Sequence, residues 1–424
     1  MRPFAHRLLI AALPLSLLSA SISHASEVEL PGTMAWTAYG TNSSGYAQAV
    51  AIGNMLQNKY DSSVRILPGD NDVSRMTPLK QGRVDLCACG IASYYGAEGV
   101  MMFADRDWGP QPLRVITTST ASFGLSLAVA GDLDVETPAD LAGKRIAYIR
   151  GDDALNKGTE AYLAFGGLTW DDVEPPADLA GKRIAYIRGD DALNKGTEAY
   201  LAFGGLTWDD VERVDYPGYA RSFDGIIAGD VDASFTTTVT PPAQQLASSP
   251  RGVSWPVLDP NDEAGWERMA AVAPYFRPHE VTAGAGGISA DNPVPSASYP
   301  YPIVVANQDL DDNVAYGLIK AMQENYDDYK DNAPGAVGYA LEYQDLQWVI
   351  PFHDAVVEYY KEIDVWTDEM QAHQDQLVER QNVLMQAWEQ FMQDAPSDAD
   401  TFTTDWMAAR ATALTDAGFE PIFE

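Results

Sequence analysis

Residues 138–174 (PADLAGKRIAYIRGDDALNKGTEAYLAFGGLTWDDVE) recur letter for letter as residues 176–212. Each copy reads as one strand and one helix. Residues 144–149 (KRIAYI) are a β-rich run, Gly151, Asp152 and Asp153 break it, residues 154–165 read as helix, and Gly166 and Gly167 end that helix. Two copies fall short of the three a stacked repeat needs, and structural repeats diverge rather than stay identical. The identity marks a recent tandem duplication or an error in the gene's assembly, not a solenoid. A lone strand–helix unit buries its apolar face only by joining a larger sheet, which the rest of the chain must supply.

The rest of the chain alternates strands and helices, the pattern of an α/β sheet with crossovers. Residues 34–37 read as strand, followed by the loop 40–45 (GTNSSG) and a helix over 46–59 whose buried stripe is Ala49, Ile52 and Leu56. Strands are expected at 64–67, 84–88, 113–118 and 123–130, with a helix at 73–81. A helix at 219–228, a strand at 232–235, a strand at 300–305 and a helix at 312–326 follow. From 352 to about 393 the chain reads as continuously helical, with Ile363, Trp366, Met370, Leu377, Leu384, Trp388 and Phe391 forming an apolar stripe. That stripe either packs back across the domains or forms a dimer or transporter contact.

Composition narrows the function. The chain of 424 residues carries 27 Lys and Arg against 61 Asp and Glu, a net charge of −34, and 46% of it is hydrophobic. That is ample for cores and excludes a nucleic-acid binder, which needs cations for phosphates. Only nine of the cations are Lys, which suits solubility in salty surroundings or simply an acidic soluble protein. Arg2 and Arg7, the apolar run 8–18 and Ser23-His24-Ala25 read as an export signal cleaved near Ala25, so the expected location is the periplasm. No later stretch is apolar for long enough to span a bilayer. The expectation for Cys87 and Cys89 is a pair of buried free thiols; the alternative is a strained or regulatory disulfide. His279, His353 and His373 have no cysteine at ligand spacing, so neither a metal nor a cofactor is expected.

The ordered set of GTNSSGY (40–46), QGRVDL (81–86), DLAGKRIAYI (140–149 and its copy), a Gly-Thr opening a helix, and DGIIAGDVDASF (224–235) resembles the TAXI-type solute-binding proteins of TRAP transporters. VAYGLIKAMQEN (314–325) and PFHDAVVEYYKEIDVW (351–366) resemble that family's C-terminal segments, so the likeness covers about 29–366. The resemblance implies an α/β, two-lobed periplasmic binding protein fold of type II-like form with a hinge, here with a long C-terminal helix added. It also implies a small organic anion, such as a dicarboxylate or amino acid, delivered to the membrane permease subunits of a TRAP transporter. The expected division is a signal peptide over 1–25, the first part of lobe I over 26–122, lobe II with the repeat over 123–259, a return to lobe I over 260–350, and a helical region over 351–424. The protein is expected to be a monomer, or a dimer through its C-terminal helix.

The residues give the anion a physical home. A strand feeding a Gly-rich turn into a helix leaves free N–H groups at the positive end of the helix dipole. Gly40, Thr41, Asn42, Ser43, Ser44 and Tyr46 are therefore expected to bind ligand, although a serine there also serves as an ordinary N-cap. Ser93, Tyr94 and Tyr95 after the third strand, and Thr236, Thr237 and Thr238 after the strand at 232–235, are expected to face the same cleft. In the second lobe the candidates are Asn194, Lys195, Gly196 and Thr197, or Asn156, Lys157, Gly158 and Thr159 if the first copy occupies the lobe. The lysine stands where the family often carries a small Gly/Ser run, which puts a direct backbone cradle there in doubt. Gly69-Asp70-Asn71-Asp72 likewise supplies acids where smaller residues are expected, a feature that suits an ammonium-bearing ligand or is simply acidic surface.

Three other functions compete. A periplasmic enzyme is disfavoured because no G-x-S-x-G elbow is present and the histidines lie outside the expected cleft. The solute-binding protein of an ABC importer shares the two-lobed fold, and gene neighbourhood separates the two transporter types. A receptor that presents its ligand to a sensor protein reads the same in sequence.

Overall fold

The computed structural model describes residues 28–120, 122–141, 144–147, 152–170, 219–273 and 275–423. The expected signal at 1–25 and the second copy at 176–212 lie outside the described residues. The chain begins with β1 (Thr33–Tyr39), α1 (Ser44–Tyr60), β2 (Ser63–Gly69), α2 (Asp72–Lys80), β3 (Leu86–Cys89), α3 (Ala92–Glu98) and β4 (Leu113–Thr117). Ser43 caps α1 by accepting from Tyr46 N–H at 3.1 Å, and the expected stripe of Ala49, Ile52 and Leu56 is buried.

A second group follows: β5 (Leu125–Ala130), α4 (Asp153–Phe165), α5 (Tyr219–Ala228), β6 (Ala233–Thr237), α6 (Pro241–Ala247), β7 (Val253–Ser254), α7 (Glu263–Val272), β8 (Arg277–Val281) and β9 (Val294–Ser298). The chain then returns through β10 (Ile303–Asn307) and α8 (Asp312–Glu324). The first sheet has the order β2-β1-β3-β10-β4, parallel from β2 to β3 and antiparallel on both sides of β10. The second has the order β6-β5-β7 and is antiparallel; β8 and β9 pair separately. The fold is mixed α/β and two-lobed, and the chain crosses between the sheets after β4 and again before β10.

Three expectations change here. The described part of the KRIAYI run makes a single parallel bridge, Ile146 to Ala233, with Ala147 N–H donating to Ala233 O at 2.8 Å. The first copy packs in the second lobe, through the buried Ala161, Tyr162, Leu163 and Phe165 of α4. The return to the first lobe comes at β10 rather than at 260, because α7 packs along α4 and Leu258 N–H donates to Pro295 O of β9 at 3.0 Å. Cys87 and Cys89 form a disulfide rather than free thiols. Their Cα atoms are 5.3 Å apart, closer than in a fully extended strand and within the span of a bridge.

The C-terminal region is not one helix. It comprises α9 (Asp354–Glu362), α10 (Asp368–Phe391) and α11 (Ala399–Asp416). The first break falls where Asp364 takes a left-handed φ of 57° and Thr367 caps α10 by accepting from Met370 N–H. The α10 stripe packs on the side of the first sheet: Gln374 bonds both backbone groups of Phe352, and His373 bonds Trp348 O. Phe402 and Trp406 of α11 close a small core against Trp388 and Phe391. Arg380 and Arg410 both pair with Glu98 at the end of α3.

Candidate functional site

The C-terminal end of β1, the N-terminus of α1, the start of α2, the N-terminus of α4, the start of α5 and the end of β6 converge on one cavity. Its volume is about 310 Å³, and Gly40, Thr41, Asn42, Ser43, Asp70 and Arg75 line it from the first lobe. Leu125, Asp152, Leu155, Tyr219, Thr236 and Thr237 are among those lining it from the second, with Tyr299 and Tyr301 beside the crossing into β10. Strand ends in an α/β fold open onto such a cleft for a physical reason: helix N-termini and loops gather there.

At the α1 end, Ser43 Oγ satisfies Tyr46 N–H, while the Ser44 and Gly45 N–H groups belong to the unsatisfied first turn. Gly45 is required: a Cβ there would lie 2.8 Å from the Tyr39 ring and 2.9 Å from the Tyr301 hydroxyl. Ser44 Oγ meets Thr237 Oγ1 across the cleft at 3.4 Å.

The charged centre of the site is Arg75. It is 1% exposed, lies 3.9 Å above the centre of the Tyr39 ring, ion-pairs with Asp72 and reaches Asp152 of the other lobe at 3.6 Å. Its Nη1 donates to Gly69 O, and its Nε is buried without a partner. Asp72 accepts from Ala154 N–H at 3.1 Å, and Asp152 caps α4 by accepting from Leu155 N–H at 3.1 Å. Burial raises both carboxyls above their ordinary range, and each also raises or is bonded to the other, while Arg75 opposes the shift. Asp153 beside them accepts from Met102 N–H at 2.8 Å and is pushed by burial up to about 6. These contacts run between the lobes.

The expected site residues divide sharply. Gly40, Thr41, Asn42, Ser43, Thr236 and Thr237 line the cavity, and Ser44 sits at its edge through Thr237. Tyr46 is half-buried on α1 and is not among the lining residues. Ser93 is turned away, donating to Gly90 O at 2.7 Å, because it closes the turn that starts α3. Tyr94 packs on Phe423, and the Tyr95 hydroxyl bonds that of Tyr275 at 2.5 Å, so both are core residues. Thr238 joins Gly124 N–H to Ala283 O, a connection within the second lobe.

In the first copy, Lys157 pairs with Glu160 at 2.7 Å, and Thr159 Oγ1 bonds Leu155 O. Gly158 serves packing, not a cradle: a Cβ there would lie 2.4 Å from the Phe235 ring. Asn156 is buried outside the lining. Asn194, Lys195, Gly196 and Thr197 lie outside the described residues. Sequence reasoning missed Tyr39, Arg75, Asp152, Tyr219, Tyr299 and Tyr301. The available signal was Asp72 and Arg75 at helical i, i+3 spacing in a chain with few cations.

Residues 171–363 match the model of the NMT1-like family. No curated protein sequence matches the chain. Among solved structures, a Prochlorococcus marinus protein in complex with methylphosphonate is 12% identical, with 79% of this chain and 100% of that one covered and a TM-score of 0.39. The alkanesulfonate-binding protein of Xanthomonas axonopodis pv. citri, bound to MOPS, is 12% identical over 80% of this chain and 96% of its own, with a TM-score of 0.31. The L-cystine solute receptor of Neisseria gonorrhoeae, in an open unliganded form, is 15% identical over 70% and 88%, with a TM-score of 0.29.

Proposed function

We propose that this protein is a periplasmic solute receptor that binds a small organic anion between its lobes, and that an α-amino acid fits the cleft best. The observation that carries this is the pairing of two opposite poles on one cavity. The α1 N-terminus and Arg75 favour a carboxylate, while Asp70 and Asp152 favour an ammonium. A dicarboxylate would bring a second negative group toward those acids and is the weaker of the two anion classes. Binding without turnover is the expected chemistry: closure over the ligand, stabilised by contacts made only in the closed state. The lobe-to-lobe contacts from Asp72, Asp152 and Asp153 are of that kind.

The resemblance of the sequence to TAXI-type receptors makes the permease of a TRAP transporter the proposed partner, with an ABC importer as the alternative. A thermal-shift screen tests the receptor reading, since a ligand of the folded state raises its melting temperature. Amino acids should raise it and uncharged sugars should not; a response to sugars alone would sink the assignment. Uptake by reconstituted permease that follows an ion gradient supports a TRAP partner, and uptake that requires ATP supports the alternative.

A further inference from the structure

We infer that the ligand carries a bulky aromatic side chain, held between Tyr219, Leu125 and Leu155 of the second lobe and Tyr299 and Tyr301 at the crossing. This rests on the amino-acid reading above and adds the identity of the side chain. The cavity of about 310 Å³ exceeds what a short acid fills, and the surface beyond its charged pole is largely ring and aliphatic carbon. The Tyr219 hydroxyl is already engaged: it meets Thr236 Oγ1 at 2.5 Å and donates to Thr240 Oγ1 at 2.9 Å. With its polar end tied back, Tyr219 offers the ligand its ring rather than a donor, and the Tyr299 and Tyr301 rings extend that wall. Ring against ring in edge-to-face contact is the arrangement such a lining favours, and it excludes the water that a small acid would leave against carbon. A carboxylate side chain is repelled by the same acids, Asp70 and Asp152, that suit the α-ammonium, while Arg221 of the second-lobe lining is already paired with Asp224 at 3.2 Å.

Isothermal titration of the full mature chain with L-phenylalanine, L-leucine, L-alanine, L-glutamate and 3-phenylpropionate tests this. L-Phenylalanine should bind at least about tenfold more tightly than L-alanine and L-glutamate, a difference of roughly 1.4 kcal/mol. Tyr219→Ala should lower the phenylalanine-to-alanine affinity ratio about tenfold. Leu155→Ser should lower it in the same direction and serves if the first variant fails to fold. L-Glutamate or L-alanine binding as tightly as L-phenylalanine would overturn the side-chain inference while leaving the amino-acid receptor intact. Binding of 3-phenylpropionate as tightly as L-phenylalanine would keep the aromatic wall and remove the ammonium site. Heat from none of the five would overturn both.

Discussion

Arg75 between Asp72 and Asp152, and Glu98 between Arg380 and Arg410, are buried ion clusters of opposite composition. The first has two anions for one cation, the second two cations for one anion. Each meets its surplus charge with backbone dipoles. Around Asp72 and Asp152 these are the N–H groups of Ala154 and Leu155 at the start of α4. Around the arginines they are carbonyls of the tail, with Arg380 donating to Glu420 O and Arg410 to Ile422 O, both at 2.8 Å. The difference lies in what is joined. The tail cluster ties α3, α10 and α11 together on one side of the first sheet, whereas the cleft cluster joins the two lobes across the cavity. In the receptor proposed above, the same chemistry serves as a fixed anchor in one place and as a latch in the other.

The largest effect should follow from breaking the anchor. Glu98→Ala leaves Arg380 and Arg410, with side chains 10% and 0% exposed, without their common carboxylate. Removing one partner of a buried ionic group costs about 3–5 kcal/mol, and urea unfolding should show a loss of that size. A loss below about 1 kcal/mol would mean that the tail undocks readily and the contrast with the cleft is false.

The corresponding cut in the latch is Arg75→Ala. Here the two abandoned aspartates regain water when the lobes part, so stability should fall by only about 1–2 kcal/mol. Ligand affinity should fall more noticeably, by about 2 kcal/mol or roughly 30-fold, because the closed state loses its interlobe cation. Calorimetry and urea unfolding on the same variant separate the two. Equal damage to stability from Arg75→Ala and Glu98→Ala would make the cleft cluster a second anchor.

The two clusters were not equally legible, and neither was fully so. Local signals carried the α1 start: a Gly-rich turn, a serine cap and an apolar stripe at helical spacing, all present in the structure. The expected helix is present over Tyr219–Ala228 and ends at its expected residue. Thr236 and Thr237 followed from strand-end logic, but Ser93, Tyr94 and Tyr95 obeyed the same logic and turned into the core. Which way a side chain leaves a short turn depends on tertiary packing, here on Gly90, Phe423 and Tyr275. Arg75 gains its role only when Asp152 arrives from the other lobe, and Glu98 only when α10 and α11 fold back. Pairings of that range leave no periodic trace in a sequence.

A smaller effect distinguishes latch from anchor through pH. Burial raises Asp72, Asp152 and Asp153, the last to about 6, so the folded protein retains protons that the unfolded chain releases. The contribution of Asp153 is therefore complete below the ordinary carboxylate value and is lost as pH rises through about 6. Melting temperature should decline from about pH 4 to pH 6, and Asp153→Asn should flatten that slope by on the order of 1 kcal/mol. A variant with the parent's slope would show that the Met102 contact does not hold a proton-linked carboxyl.

The last test concerns affinity, where the expected change is near zero. Asp152 and Asp153 belong to the first repeat copy, and the identical second copy carries Asp190 and Asp191 at the same places, whereas Glu98, Arg380 and Arg410 have no duplicate. Deleting residues 138–175 removes the first copy, which packs in the second lobe, yet leaves one complete unit of the same sequence. Closing a chain with a shorter insertion is entropically easier, since the cost grows only as the logarithm of loop length. The shortened protein should fold and bind with unchanged affinity. Asp152→Asn alone should weaken binding less than the double change Asp152→Asn with Asp190→Asn, because either copy can supply the latch. If the deletion abolishes binding, or the single and double variants behave alike, the copies are not interchangeable and the latch is as singular as the anchor.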